Sequence, residues 1–321
     1  MGEGTSTSGS RSRLARVSSF RQREEEEEVA VPYHEAEGVP DVDPPLGEED
    51  EQEGSYPGGP IETSVLITYH DHVARRIWEE EEREPLKMVN HARKIFSLFK
   101  PTAEWFNDSV RASGLSGLCM TGYTTISHSM QGAFVERWHK ETSSFHLPVG
   151  EMTITLHDVQ CLLHLPIRGP LFTHSRIQMV EATQWMALYL GMEPEAADYE
   201  CITTSGPHIR FTILSRYFEH HLDAAADAEE AGDELFTQYH RGCALRCWYM
   251  HVVGAAVFVD KSARYVDVTY LRYFMDLTTV HQWNWGAATL AYLYQKLNEA
   301  SNWRTRQLTG SCTLLTSWII S

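Results

Sequence analysis

Four residues with metal-ligand chemistry recur along one stretch: His240, Cys243, Cys247 and His251. Thiolate and imidazole donors in this mix suit zinc. On a helix, however, these positions share one face and span about 16 Å at about 1.5 Å per residue. Ligands to one ion must lie within about 2.0–2.3 Å of it, so one straight helix cannot deliver all four. No second Cys/His pair at zinc spacing stands out, and small Cys side chains fill a helix–helix seam instead. A second group is Glu136, His139, Glu141, His146, Glu151, His157 and Asp158. Two carboxylates and an imidazole could serve acid–base catalysis or hold a metal. Alternation along a hairpin sends such residues to two faces, and caps, turn hydrogen bonds and ion pairs account for most of them.

Cofactor chemistry has less support still. A pyridoxal enzyme needs a Schiff-base lysine and a phosphate cup. The six lysines are Lys87, Lys94, Lys100, Lys140, Lys261 and Lys296, and Lys261 in Val259-Asp260-Lys261-Ser262 has no glycine-rich phosphate loop beside it. No G-x-x-x-x-G-K-[ST], G-x-G-x-x-G or G-x-S-x-G occurs, so nucleotide and hydrolase chemistry lack motif support. Nine Trp and fourteen Tyr have no basic stripe beside them, so core packing explains them better than base stacking. The residues therefore predict no catalytic group, no metal and no cofactor.

The elements that must position these side chains occupy only part of the 321 residues. Net charge is −17, with 27 basic and 44 acidic residues, which argues against a general nucleic-acid or anionic-membrane binder. Residues 1–60 hold 5 Arg against 15 Asp or Glu, a net of −10, and show no hydrophobic periodicity. Such a segment cannot bury enough apolar surface to offset chain entropy of roughly 1–2 kcal/mol per residue, so residues 1–63 read as a disordered acidic tail. Within it, Arg11, Arg13, Arg16, Arg21 and Arg23 form a loose basic cluster of the nuclear-import kind, and Met1 to Ser6 fits a loose myristoylation pattern in which Glu3 is an unhelpful neighbour. Six Cys are too sparse for a disulfide scaffold. The longest nearly apolar run, Trp248 to Val259, falls far below the roughly 18–20 residues that span a bilayer. With no signal-peptide pattern, these features point to a soluble intracellular protein with reduced thiols, and hydrophobic residues at 42% allow a sizeable core.

From residue 64 the hydrophobic spacing is helical. Val65 to Trp78 and Leu86 to Phe99 read as short helices, the second ended by Lys100-Pro101. Ser144 to Leu147 and Met152 to Thr155 read as strands of a hairpin that turns through Pro148-Val149-Gly150-Glu151. Thr155 and Asp158 have the spacing of a cap with an acidic partner, and Leu156, Val159 and Leu163 then share a helix face. Met179, Ala182, Met186 and Leu190 share another face, stopped by Gly191 and Pro194, and Phe211, Leu214, Phe218 and Leu222 a third. Asp223 to Gly232 is a polar helix extension or a loop. Leu235 to Phe258 is one long helical region open to a break at Gly254. Val268, Leu271 and Met275, and then Leu290, Leu293 and Leu297, repeat the spacing. The expected fold is mainly α, a multi-helix domain over 64–321 with one short β-hairpin. The apolar finish at Trp318-Ile319-Ile320 reads as a domain truncated at its C-terminus.

The segment Ala133 to Val159 is distinctive. Glu136-Arg137-Trp138, then Glu141-Thr142, then Phe145-His146, the turn Gly150-Glu151, and Thr153-Ile154-Thr155-Leu156-His157-Asp158-Val159 together resemble the plant mobile domain, also called the aminotransferase-like plant mobile domain. Leu163-His164-Leu165-Pro166 resembles the family's L-G-L-P with His164 in place of Gly. Phe258-Val259-Asp260-Lys261-Ser262 resembles its F-x-D-K-S, Trp285 to Tyr294 its W-G-x-A-x-L-x-x-L-Y, and Gly310 to Leu315 its closing segment. The resemblance covers about residues 64–321 with its motifs in order.

That resemblance implies a nuclear protein of the maintenance-of-meristems-like kind, acting in transposon silencing, genome maintenance and meristem organisation beside a protein-phosphatase-7-like partner and chromatin factors. It supplies no catalytic residues, and the family usually continues past the final apolar helix. Many members are carried by plant transposable elements, so the other expectation is an accessory protein acting with a transposase or element nucleic acid. Read as chemistry alone, Phe134, Trp138, Phe145, Ile154, Leu156 and Val159 bury the hairpin against its flanking helices. Glu141, Thr142, His146, Gly150 and Glu151 set the turn and the start of the strands.

Overall fold

The computed structural model describes residues 64–98, 101–123, 125–262 and 264–321. The acidic tail, the arginine cluster and the myristoylation-like start lie outside them. Among the described residues there are eleven α-helices and seven short strands, the mainly α architecture expected. In order these are α1 (Val73–Trp78), β1 (Lys87–Met88), α2 (Ala92–Ser97), α3 (Glu104–Ala112), α4 (His128–Val135), β2 (Trp138–His139), β3 (Ser144–Leu147), β4 (Gly150–Met152) and α5 (Leu156–Leu163). Then follow α6 (Met179–Leu190), α7 (Pro194–Thr203), β5 (His208–Arg210), α8 (Phe211–Glu230), α9 (Glu234–Ala256), β6 (Tyr265–Asp267), α10 (Trp285–Ala300), β7 (Gln307–Leu308) and α11 (Cys312–Ile320). Among them no helix is long and apolar enough to cross a membrane.

Helix α9 is the central rod. Residues 247–255 are all buried, the pattern of a helix surrounded on every side. It forms an antiparallel hairpin with α8 and touches α2, α3 and α6. The Asp223 to Gly232 stretch extends α8 to Glu230, and Gly232 at φ 72° makes the turn. Gly254 does not break α9. It lets β6 approach, since a Cβ there would come 2.6 Å from Val266 Cγ2 and 3.3 Å from Phe211 Cε1.

Among the described residues there are three small sheets, two of which join distant parts of the chain. β2, β3 and β4 run antiparallel in that order, β5 pairs antiparallel with β6, and β1 pairs in parallel with β7. Several local expectations change here. Leu86 to Phe99 is not one helix: Lys87 N–H donates to Arg306 O and Val89 N–H to Leu308 O, so the ladder with β7 displaces the first helical turn. Helix α4 ends at Val135, and Trp138 belongs to β2. The second hairpin strand is Gly150–Met152 rather than Met152 to Thr155, because Leu147 pairs with Gly150 across a turn of only Pro148 and Val149. Val268 to Phe274 winds as a 3-10 helix, which satisfies the same i, i+3 spacing.

Caps end the helices where the chain changes direction. Thr155 and Asp158 form a full capping box on α5. Gly191 closes α6 at φ 63°. His164 closes α5 in the same left-handed region at φ 54°, where a side chain costs about 1–2 kcal/mol that glycine avoids.

Replacing Gly254 by Ala tests the close approach of α9 to β6. Alanine gains about 1 kcal/mol in helix propensity, but overpacking costs about 1–3 kcal/mol. Urea unfolding should show a net loss for Gly254→Ala; a net gain contradicts the packing described.

Candidate functional site

The residues of the distinctive segment form one tight ribbon. Trp138 and Phe145 are register partners on β2 and β3, and both are fully buried. Their rings meet edge-on at 4.8 Å, Phe145 stacks on Trp318 at 5.3 Å, and Tyr294 meets Trp138 at 4.8 Å. Ile154 and Val159 complete the buried face. Leu156 is the exception. It stands at the first position of α5, 37% exposed, and does not join that face. Phe134 is half-buried, edge-on to Phe145 at 5.6 Å.

Trp138 Nε1–H donates to Asn298 Oδ1 at 2.7 Å, tying the ribbon to α10. Arg137 O accepts from His146 N–H at 2.8 Å. Glu151 accepts from the Ser144 hydroxyl and lies 2.7 Å from His146 Nδ1, its register partner. Thr142 Oγ1 lies 2.7 Å from Ser144 Oγ. Gly150 adopts φ 120° at the turn. Thr153 Oγ1 donates to Ser143 O at 2.7 Å, and Tyr294 OH donates to Ile154 O at 2.6 Å. Glu141 accepts from the amide and hydroxyl of Thr68, far away in sequence. Burial alone would raise the Glu141 and Glu151 carboxyls, but these hydrogen bonds hold both below their ordinary range. Glu136, at the end of α4, is pushed upward by burial despite Arg83 and Arg137 nearby. Asp158 is held by its cap.

Within this group His146 and Glu151 meet at 2.7 Å and the His139 and His146 rings lie 6.2 Å apart, while Glu141 and Asp158 hydrogen-bond elsewhere. Among the described residues no group of three or more His, Cys, Asp or Glu is placed to hold a metal ion. On α9, His240 Nδ1 faces His221 Nδ1 at 2.9 Å, Cys247 is fully buried, and His251 packs on Phe211 at 4.9 Å.

A feature not anticipated from sequence lies elsewhere. The connection from α5 to α6 crosses the end of α10 and leaves a cavity of about 360 Å³ lined by Leu171, Phe172, Phe258, Tyr270, Ala288 and Tyr292, with His174 and Gln295 also at its wall. Phe258 and Tyr270 stack at 3.9 Å and 9°, Tyr292 stands at 84° to Phe258, and Phe172 at 58°. The small side chains of α10 make the room. Asn284 pins the crossing segment by donating to Ile167 O at 2.9 Å, while its own amide reaches Pro170 O. The signals for this pocket were the segments Phe258 to Ser262 and Trp285 to Tyr294, which sequence places apart and the fold joins.

A mainly helical domain, stitched by a buried aromatic ribbon and carrying an aromatic pocket, is the class this geometry defines. The plant mobile domain matches residues 114–321, and the chain belongs to that family. It is 33% identical over 261 residues to Protein MAIN-LIKE 1 of Arabidopsis thaliana, covering 81% of this chain and 48% of that one. It is 30% identical over 268 residues to the Serine/threonine-protein phosphatase 7 long form homolog of Arabidopsis thaliana, covering 81% of this chain and 18% of that one. Protein MAINTENANCE OF MERISTEMS, also of Arabidopsis thaliana, is 29% identical over 255 residues, which are 79% of this chain and 49% of the relative. The chain thus spans about half or less of each of these relatives. No solved structure matches it.

Buried histidines give the domain a pH dependence. His72 Nε2–H donates to Trp138 O at 2.8 Å while Nδ1 accepts from Ala74 N–H at 3.1 Å, which fits the neutral ring. Burial first, then His139 and Arg83 against the opposing Trp138 carbonyl and Glu141, brings His72 down to about 4. Burial, with Lys94 and His251 nearby, brings His91 to about 4, and burial beside His220 and His240 does the same for His221. Burial beside Lys94 also lowers His251 to about 4. Folded-state values below the ordinary 6.5 mean that the unfolded chain binds more protons. Stability is then full above pH 6.5 and falls toward pH 4, by at most about 1.4 kcal/mol per pH unit per histidine. Urea midpoints should drop steeply between pH 6.5 and 4.5, and a flat profile would contradict neutral buried rings.

Proposed function

We propose that this chain is a non-enzymatic protein-interaction module of the plant nucleus, acting in transposon silencing, genome maintenance and meristem organisation through protein partners. The observation that carries the reading is where the polar groups of the family segment are used. Glu141, Glu151 and Asp158 each accept hydrogen bonds from a different set of neighbours. Side chains engaged in this way position a scaffold and leave recognition to the surface. Modularity supports the same reading: the matched region is only 18% of the relative named as a phosphatase 7 long form homolog. A domain found inside a longer chain of that name is suited to bring a phosphatase-type activity to a partner assembly. The partners proposed are a phosphatase-7-like protein and chromatin factors.

Purification of a tagged full-length copy from plant nuclei tests this directly. A serine/threonine phosphatase and chromatin proteins should be enriched above the untagged control. Recovery of the chain alone, or its exclusion from nuclei, would overturn the reading.

A further inference from the structure

A small cavity at the start of α11 has polar groups at its wall that the fold leaves unused. It measures about 10 Å³, room for a single particle of about water size. His91, Ser311 and Thr313 line it together with Ile95, Leu118 and Val259. His91 is only 4% exposed, yet neither of its ring nitrogens has a hydrogen-bond partner among the described residues. Buried polar groups are nearly always paired, so an enclosed imidazole with two idle nitrogens calls for an occupant of the space beside it.

The first turn of α11, a helix of nine residues, borders the same space. Its cap is Ser311, whose hydroxyl accepts from Leu314 N–H at 3.4 Å. That hydroxyl keeps its own proton to donate. Cys312 N–H donates to Gly310 O at 2.9 Å, and among the described residues Thr313 N–H is left without a backbone acceptor. A helix N-terminus carries roughly half a positive charge. More positive charge gathers behind His91. The Phe211 ring meets His91 edge-on at 5.9 Å, His251 at 4.9 Å and the Lys94 ammonium at 5.2 Å. Among the described residues no Asp or Glu lines the cavity.

The kind of occupant follows from donors, charge and size. A water must place two protons of its own on acceptors, whereas the groups left over here are mainly donors. A neutral imidazole still offers one N–H, and Thr313 N–H and the Ser311 hydroxyl add two more. An anion accepts from all three and is favoured by the helix end and by Lys94. The volume is too small for phosphate, sulfate or a carboxylate, which leaves a monatomic ion.

We propose that this cavity binds one halide ion, chloride by its size, held by His91, Thr313 N–H and the Ser311 hydroxyl, with the α11 N-terminus and Lys94 supplying the opposite charge. The ion joins the start of α2 to the start of α11. The site stands apart from the reading of the chain as an interaction module.

Chlorine-35 NMR of the full chain tests it. Added protein should broaden the chloride line, and the excess should saturate with chloride. Bromide should remove that excess, whereas gluconate at the same ionic strength should not. His91→Leu should abolish the excess. Lys94→Met, at a half-buried position on α2, should weaken chloride binding severalfold. Thermal melts confirm that each variant is folded. If His91→Leu does not fold, the bromide competition and Lys94→Met decide between the outcomes. No saturable excess would mean that the cavity holds water alone and would overturn the proposal. Excess broadening that persists unchanged in a folded His91→Leu variant, or in Lys94→Met, would place the ion elsewhere and overturn it as well.

Discussion

A buried indole must satisfy its N–H, and much of this domain is arranged around one that does. Trp138 is completely enclosed, so an unpaired N–H there would cost about 1–3 kcal/mol. Asn298 on α10 meets it, and the Trp138 carbonyl is met by His72 from the other direction. These two bonds join three remote stretches: the segment leading into α1, the three-stranded ribbon and the long helix near the end. Phe145, Tyr294 and Trp318 then fill the space around the ring. Glu141 repeats the link by accepting from Thr68. The parallel pairing of Lys87–Met88 with Gln307–Leu308 closes the same seam through the backbone.

What sequence reveals of this depends on range. Helical faces with four-residue spacing, such as Ala182, Met186 and Leu190, are visible because a single helix repeats its own geometry. The Thr155–Asp158 box is visible for the same reason, since both partners lie within one turn. Strands of two residues are not. Lys87–Met88 becomes a strand only because Gln307–Leu308 lies beside it, and no local propensity encodes a partner that far away. Trp138 was legible as a buried aromatic but not as a strand residue. Leu156 shows the converse: its spacing matches the buried face, yet at the first position of α5 it projects toward solvent.

The aromatic pocket was the least legible feature. Its walls come from the α5–α6 connection, the end of α9, the 3-10 segment before α10, and α10 itself. Each aromatic looks like ordinary core when read alone. Only the crossing segment, pinned through Asn284, leaves the rings around a space. The division of labour is physical. The ribbon's polar groups are consumed in holding it together, whereas the pocket is walled mainly by apolar and aromatic side chains.

The central claim is that the ribbon is the structural joint of the domain, and the unfolding free energy of Trp138→Ala measures this most directly. Loss of a fully enclosed Trp should cost about 3–5 kcal/mol, or prevent folding altogether, with α10 and α11 loosening in the same transition. Stability within about 1 kcal/mol of the parent would contradict it, because a ring that can be removed so cheaply joins nothing.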